Sequence, residues 1–511
     1  MSRQKGNDIA AIFVHAGAGF HSHHNEKAHL ETCENAARAA MALLKAGASA
    51  VEAVEMAIIV LEDAEITNAG YGSNMTMDGA VECDATIVNH LARSGAVGAV
   101  AQVKNPISLA RVILDASAKP LSLQRVPPNF LVGQGATDFA YEHGLVVLPH
   151  DGLIAPAAKE RWRRWRLELE EAEFKERQQD PSKCQNAQYM ACFRHPTGAH
   201  PAQLMASPLS AQNEFSVGSP LALPTDNLDS SSDVACAGNP NPILTSPLQY
   251  NAMSTFVTAR DGECSDGFPV PEHASPNVND TDASAIASMD SDLRANSLSD
   301  TYQKKGLGDT PSEIELDRIS DTVGAIAIDS EGNIAAGSSS GGIGMKHRGR
   351  IGPAALVGVG TTVIPVDPND PEKTCVATVT SGTGEHIATT MASSVCSTRV
   401  YYCQKKCEDG TFEEATEDEA MRTMIESEFM GHPGVKDSHC HGAIGIMSVK
   451  KTIDGVVLFF GHNTDSFALA SMGMKDKKPV SVMSRSNGNG SIAQGGRAYR
   501  YRRFNLHGTT S

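Results

Sequence analysis

The sequence lacks any long apolar run. No stretch reaches the roughly 20 consecutive apolar residues that a membrane helix needs. The amino-terminal segment Met1–Gly6 also lacks the apolar region of a secretory signal peptide. We therefore expect a soluble, intracellular protein.

Basic residues are also few compared with acidic residues. Lys and Arg number 43 against 60 Asp and Glu, which gives a formal net charge of −17. Such a balance disfavours sequence-independent binding of nucleic acid and predicts no direct contact with it. One basic cluster, residues 159–166, stands out. Two interpretations of it remain open, a nuclear import signal and the solvated face of a helix.

The cysteines are spread through a chain of 511 residues rather than clustered. The 11 cysteines are odd in number and do not form the dense framework of small secreted domains, so most should be free thiols. Cys403, Cys407 and the later segment His439–His441 fit no zinc template well. We expect no metal there and favour a polar loop that contains ordinary cysteines.

Aromatic residues make up only 5% of the chain, and residues 180–320 combine few of them with many Ser, Asp, Asn and Pro. This composition is typical of disorder. The prediction is an amino-terminal part at 1–178 that ends in a charged helix around 157–177. A disordered linker at 179–321 and a carboxy-terminal part at 322–511 follow.

Apolar periodicity is present on both sides of the linker. In the first part it predicts three strands and three helices, namely Ile9–His15, Val81–Val88 and Ala96–Val103, and residues 26–46, 49–63 and 106–117. The second part alternates in the same way from residue 322 to about 470. Together the parts predict one interrupted α/β or layered α+β domain of roughly 300 residues.

The bond between Asp321 and Thr322 lies where the polar linker ends and an apolar strand pattern begins. The Asp-Thr pairs at 280–281, 300–301 and 309–310 are followed by polar or turn-forming residues instead. A threonine released as an amino terminus carries a hydroxyl nucleophile and an amine base on one residue. Its methyl group restricts χ1 and so holds the hydroxyl in place. A β-former that simply starts a strand is the alternative.

Several glycine-rich motifs surround this bond in sequence. They are His15–Gly19, Asn68–Asn74, Gly79–Ala85, Asp321–Gly324, Ser338–Gly342, Lys346–Gly352 and Thr380–His386. Their order and spacing resemble the N-terminal-nucleophile hydrolases of the plant-type asparaginase family, and within it the threonine aspartase (taspase) branch. The resemblance covers about residues 8–470 without the linker.

The resemblance implies an α+β, four-layered αββα fold, made as an inactive chain that cleaves itself between Asp321 and Thr322. Thr322 would be the nucleophile, assisted by the hydroxyl of Ser340. Asn74 would lie on the oxyanion side, and the Gly17 loop would press against the Asp321 carbonyl before cleavage. Without the resemblance, Ser340 would be interpreted as an ordinary strand-end serine.

Arg350 is the predicted substrate-binding cation, because a guanidinium offers a planar fork for an aspartate carboxylate. A surface cluster of Lys346, Arg348 and Arg350 is the alternative, and the resemblance selects Arg350. Ser381 and Gly382 are expected to open a turn into a helix near Thr383, whose N–H groups suit a carboxylate or an oxyanion. No Gly-Lys-Ser/Thr follows, which disfavours nucleotide binding.

Position 353 departs from the asparaginase pattern. Asparaginases that act on free amino acids carry an Asp there that binds the α-ammonium of the substrate, whereas this chain has Pro353. An internal peptide residue has no α-ammonium, so the change favours an endopeptidase that cleaves after aspartate.

The resemblance further implies transcription regulators as substrates, an α2β2 assembly, no cofactor and no metal, and a location in nucleus and cytoplasm. Two other hypotheses remain, an asparaginase or isoaspartyl peptidase and a non-catalytic interaction scaffold.

Overall fold

Strands from both parts of the sequence build one eight-stranded sheet. The computed structural model describes residues 9–179, 322–487 and 490–501. The strand order is β14-β13-β1-β5-β6-β2-β3-β4, antiparallel except for β3 and β4. The strands are β1 Ala11–Gly19, β2 Cys83–Val88, β3 Ser94–Val100, β4 Phe130–Val132, β5 Val323–Ile328, β6 Ile334–Ser340, β13 Ser466–Gly473 and β14 Val480–Arg485.

A second, five-stranded antiparallel sheet is built from the carboxy-terminal part. Its order is β15-β12-β11-β8-β7. The strands are β7 Thr361–Ile364, β8 Cys375–Gly382, β11 Ile444–Lys451, β12 Gly455–His462 and β15 Ala493–Arg500. A separate hairpin consists of β9 Gln404–Lys406 and β10 Phe412–Glu414.

Helices cover the outer face of each sheet. On the first sheet lie α1 Glu26–Lys45, α2 Ala50–Glu62 and α3 Pro106–Ser117, with α4 Gly133–Glu142 beside β3 and the edge strand β4. The second sheet carries α6 Gly384–Thr390, α7 Ala392–Tyr402, α8 Glu417–Thr423, a π-helical segment Met424–Met430 and α9 Pro433–Lys436. None of the described helices is long and apolar enough to cross a membrane.

Three buried clusters define the layers. One lies between α1–α3 and the first sheet, one between the two sheets around Phe13, Ile326 and Val379, and one between the second sheet and α7–α8. The predicted four-layered αββα fold is confirmed. Because β5 is covered on both faces, its sequence is apolar at nearly every position rather than at alternate ones.

The turn between β5 and β6 brings Ser340 back beside the start of β5. The Asp329 carboxylate accepts hydrogen bonds from the amides of Glu331 (3.0 Å) and Asn333 (2.9 Å). Such an Asx turn is what Asp, Gly and Asn in this segment favour.

Two predicted boundaries are wrong. His15–Gly19 does not follow β1 but belongs to it, because pairing with β13 resumes after a bulge between His15 and Ala18. Ser381 and Gly382 are the last residues of β8 rather than part of a turn, because both pair with β11.

The charged helix is α5, Pro156–Gln179. Its first half packs on the domain, since Arg161 Nη2 donates to the Gly72 carbonyl (3.2 Å) and Trp162 Nε1 to the Thr76 carbonyl (2.9 Å). The basic cluster is therefore only partly a solvated face. The predicted linker, apart from Gln179, lies outside the described residues, as does Asp321.

Candidate active site

Thr322 lies directly before β5, in the middle of the eight-stranded sheet. Val323 pairs with Ser339, so the same register sets Thr322 opposite Ser340 of β6. On the other side of β5, the pairing with β1 reaches His15 opposite Gly324, and Gly17 lies in the bulge of β1 that follows. Thr322 is 6% exposed. The fold thus sets Thr322 beside Ser340, two residues that were predicted to act together.

Ser381 reaches this position from the other sheet. Its Oγ accepts hydrogen bonds from the backbone nitrogens of Thr322 (3.2 Å) and Ala18 (3.0 Å). The nitrogen of Thr322 would become the α-amine if the preceding bond were cut. Ser381 was predicted to bind substrate, but its observed contact is with the nitrogen that would serve as the base.

The Ser340 hydroxyl is oriented by the glycines that follow it. Ser340 Oγ accepts a hydrogen bond from the Gly342 amide (3.0 Å). A hydroxyl can accept one hydrogen bond and still donate its own proton elsewhere. This geometry leaves the proton of Ser340 available for a second partner.

Every backbone polar group of Gly341 and Gly342 is hydrogen-bonded. The Gly341 amide donates to the Asn68 carbonyl (2.8 Å), and Lys346 Nζ donates to the Gly341 carbonyl (2.9 Å). The Gly342 carbonyl accepts from Nδ2 of Asn68 (2.8 Å) and of Asn74 (3.2 Å). A Cβ on Gly341 would collide with Ser73 and Asn68. Asn74 is thus joined to the same segment that orients Ser340.

Two residues of this network, Asp84 and Lys346, were not predicted from the sequence as site residues. The Asp84 carboxylate accepts from the amides of Ala99 (2.8 Å) and Gly352 (2.7 Å). Lys346 Nζ also donates to the Glu82 carbonyl (2.6 Å). Both side chains are buried, so their interaction with each other offsets part of the cost of burying charge.

Burial lowers the pKa of Lys346 and raises the pKa of Asp84, and in each case the partner's charge opposes the shift. The pair anchors both ends of the loop that carries Arg350. The surface-cluster interpretation is wrong for Lys346. The available sequence signal was an acid inside the buried strand pattern of β2.

Arg350 lies in a narrow channel walled by three glycines, Gly342, Gly352 and Gly384. A Cβ on Gly384 would come within 2.5 Å of Arg350 Nη2, so the absence of a side chain there makes room for the guanidinium. Nε and Nη2 of Arg350 both donate to Oε1 of Glu385, at 3.1 and 2.9 Å. By contrast, Arg348 pairs with Asp78 at 2.7 Å.

Glu385 belongs to the first turn of α6. Burial raises its pKa, but the Arg350 guanidinium and the backbone N–H of Glu385 itself outweigh this, and the pKa is lowered on balance. The Thr383 amide is already donated to the Ala443 carbonyl (2.8 Å). The predicted anion-binding end of this helix therefore holds the Glu385 carboxylate.

Pro353 begins a buried turn, Pro353–Ala355, and borders Gly384. It offers no charge beside Arg350. Asp84, the nearby buried acid, is engaged by two backbone amides. The position that would bind an α-ammonium group in asparaginases is apolar here.

His15 lies between the sheets against Gly324 and the ring of Phe467. Burial lowers its pKa to about 3, so the imidazole is neutral at physiological pH. Among the described residues, neither ring nitrogen has a hydrogen-bond partner.

In the part of the chain that the structure describes, no three His, Cys, Asp or Glu side chains converge as metal ligands would. Cys403 instead lies 3.0 Å from Lys450 Nζ and 3.5 Å from the Glu417 carboxylate.

Comparison with known proteins identifies the family of this chain. The family described as Asparaginase (Asparaginase_2) matches residues 9–197 and 272–451. The chain is 37% identical over 159 residues to the isoaspartyl peptidase/L-asparaginase of Mus musculus. This match covers 31% of this chain and 46% of the mouse protein. It is 42% identical over 127 residues to the Bos taurus protein of that name, and this match covers 25% of this chain and 38% of the bovine protein.

A bacterial relative, the isoaspartyl peptidase of Salmonella typhimurium, is 31% identical over 157 residues, 30% of this chain and 47% of that protein. The chain thus spans less than half the length of each of these curated relatives. The family match, however, covers well over half of the chain itself. The chain belongs to the Asparaginase_2 family of N-terminal-nucleophile hydrolases.

Proposed function

We propose that the protein is a self-processing threonine endopeptidase that cleaves protein substrates after aspartate. The observation that carries this proposal is the convergence of Ser340 and Ser381 on Thr322. A largely buried Arg350 beside an apolar Pro353 supports aspartate, rather than a free amino acid, as the recognised group.

Processing would begin with attack of the Thr322 hydroxyl on the Asp321 carbonyl. The carbon–nitrogen bond breaks as an ester to Thr322 Oγ forms, and the nitrogen takes up the proton. Water then hydrolyses the ester, which leaves the Asp321 carboxylate and a free α-amine on Thr322.

In the mature enzyme, that amine accepts the hydroxyl proton as Oγ attacks the backbone carbonyl of a substrate aspartate, and it passes the proton to the leaving amine when the carbon–nitrogen bond breaks. A free α-amine has a pKa of about 7.7–8.0, so roughly a tenth to a third of it is unprotonated and able to accept a proton near neutral pH. Ser381 Oγ would orient the amine, the proton of Ser340 would assist the nucleophile, and Asn74 would stabilise the oxyanion. Water then hydrolyses the acyl-enzyme, which releases the aspartate carboxylate of the substrate and restores the Thr322 hydroxyl.

A second function is favoured by the names of the relatives, which are isoaspartyl peptidases and asparaginases. Hydrolysis of β-aspartyl dipeptides or free asparagine, with no cleavage of internal Asp peptides, would establish that alternative. We further propose an α2β2 assembly, nuclear and cytoplasmic location, and transcription regulators as substrates.

The intact mass of the purified protein tests the nucleophile. Wild type should give fragments that meet between residues 321 and 322, the second of 190 residues. Thr322→Val should remain a single 54.0 kDa chain, whereas Thr322→Ser should process slowly because it keeps the hydroxyl without the restraining methyl. Two fragments from the Val variant would refute self-cleavage by Thr322.

A further inference from the structure

The Arg350 guanidinium, the group that our proposed function assigns to the substrate aspartate, already binds a carboxylate of this chain. Nε and Nη2 both donate to a single oxygen of Glu385. A substrate carboxylate that approaches the same two donors must therefore displace Glu385 or share the arginine with it.

The exposures of the two side chains show which partner is able to move. Arg350 is 15% exposed and confined by Gly342, Gly352 and Gly384, whereas the Glu385 side chain is 59% exposed. Glu385 lies at the solvent side of the contact. Moving the Glu385 carboxylate into water costs only the attraction of the ion pair. That attraction is weak, because one partner is exposed and the freed carboxylate is hydrated.

We propose that Glu385 is a resident competitor for Arg350, which substrate carboxylates must replace and which thereby sets the affinity threshold of the site. The inference rests on the proposed role of Arg350 in substrate binding. Because displacement of Glu385 is a common first step, it weakens every ligand of Arg350 by the same factor. The competitor therefore lowers the occupancy of the site by weak and strong ligands alike and leaves their relative affinities unchanged.

Glu385→Gln in the processed full-length enzyme tests this. The amide keeps the size of the side chain but removes the competing charge. The KM for a peptide with an internal Asp should fall roughly twofold to tenfold, as expected for loss of a weak ion pair. The inhibition constant of L-aspartate should fall by a similar factor, and the change should appear in KM rather than in kcat.

Glu428→Gln is the matched control, because it removes the carboxylate partner of Arg399, another arginine of the carboxy-terminal part. It should leave both constants unchanged. If Glu385 instead holds Arg350 in its binding position, the Glu385→Gln variant will show a raised KM, and a raised or unchanged KM overturns the inference alone. A wild-type enzyme that cuts no Asp peptide overturns the proposed function and the inference with it.

Discussion

Two arginine–glutamate pairs in the carboxy-terminal part differ in ways that separate structure from recognition. Arg399 and Glu428 pair fork to fork, with Nε on one carboxylate oxygen and Nη2 on the other, both at 2.8 Å. Their side chains are 13% and 14% exposed, and Arg399 also stacks over Phe412 at 4.3 Å. In the Arg350–Glu385 pair, both donors share one oxygen and the glutamate is mostly exposed.

The difference lies in what each arginine could still bind. Arg399 is matched to its carboxylate on both sides of the fork, and removing either partner would strand a buried charge. Arg350 is equally buried but holds its partner asymmetrically, so a ligand carboxylate could form the bidentate contact that Glu385 does not. A buried arginine with an exchangeable partner is thus the better candidate for recognition.

The sharpest way to separate the pairs is Arg350→Ala. It should lower kcat/KM on an Asp peptide by roughly 30-fold to several thousand-fold, because a desolvated substrate carboxylate would lose its partner. Arg350→Lys should restore little, since a point charge cannot reproduce the planar fork. Matched Asp and Asn peptides should be compared with enzyme that is already processed. Equal losses on both peptides would remove Arg350 from recognition.

Arg399→Ala should produce the opposite phenotype. Loss of one partner of a largely buried pair costs about 3 kcal/mol of stability, which should appear as a lower Tm. The kcat/KM of the molecules that remain folded should not change. If Arg399→Ala instead lowers kcat/KM and leaves Tm unchanged, the assignment of Arg399 to stability and of Arg350 to recognition is contradicted.

The sequence predicted the fold well because its signals are local. The continuous apolar run after Thr322 and the turn residues between Asp329 and Asn333 determine β5, the turn and β6 without knowledge of their neighbours. The boundaries at His15–Gly19 and at Ser381 were wrong because pairing with β13 and with β11 decides them, and those strands lie far away in sequence.

The candidate site was predictable only in part for the same reason. Thr322, Ser340 and Arg350 were found through motifs, but the motifs do not show which side chains face each other. Lys346 looked like one member of a surface cluster, although Asp84 in a distant strand lets it be buried. Glu385 belongs to the motif Thr380–His386, yet its contact with Arg350 depends on a loop folding back onto α6.

Glu62 extends the comparison to a third kind of carboxylate, one that is buried and pairs with no arginine of the described residues. Its Oε1 accepts from the Ser339 hydroxyl (2.7 Å) and the Ile107 amide (3.0 Å), while Oε2 has no partner among the described residues. Burial raises the pKa of Glu62 to about 8, so the folded state keeps a proton that the unfolded chain loses above about 4.5. Stability from this group is therefore fully present below pH 4.5 and is lost as pH rises towards 8.

Glu62→Gln, a neutral isostere, should remove this slope, which amounts to about 1 kcal/mol per pH unit between pH 5 and 8. The unfolding free energy should be measured in the uncleaved Thr322→Val chain, so that dissociation of fragments does not enter. Glu385→Gln is the control. Because the pKa of Glu385 is lowered, its ionised form stabilises the fold at pH values above the pKa of the unfolded chain. This contribution is lost only as pH falls through the lowered pKa, below the range of pH 5–8. Parallel pH profiles for Glu62→Gln and its parent across pH 5–8 would show that Glu62 is ionised in the folded protein.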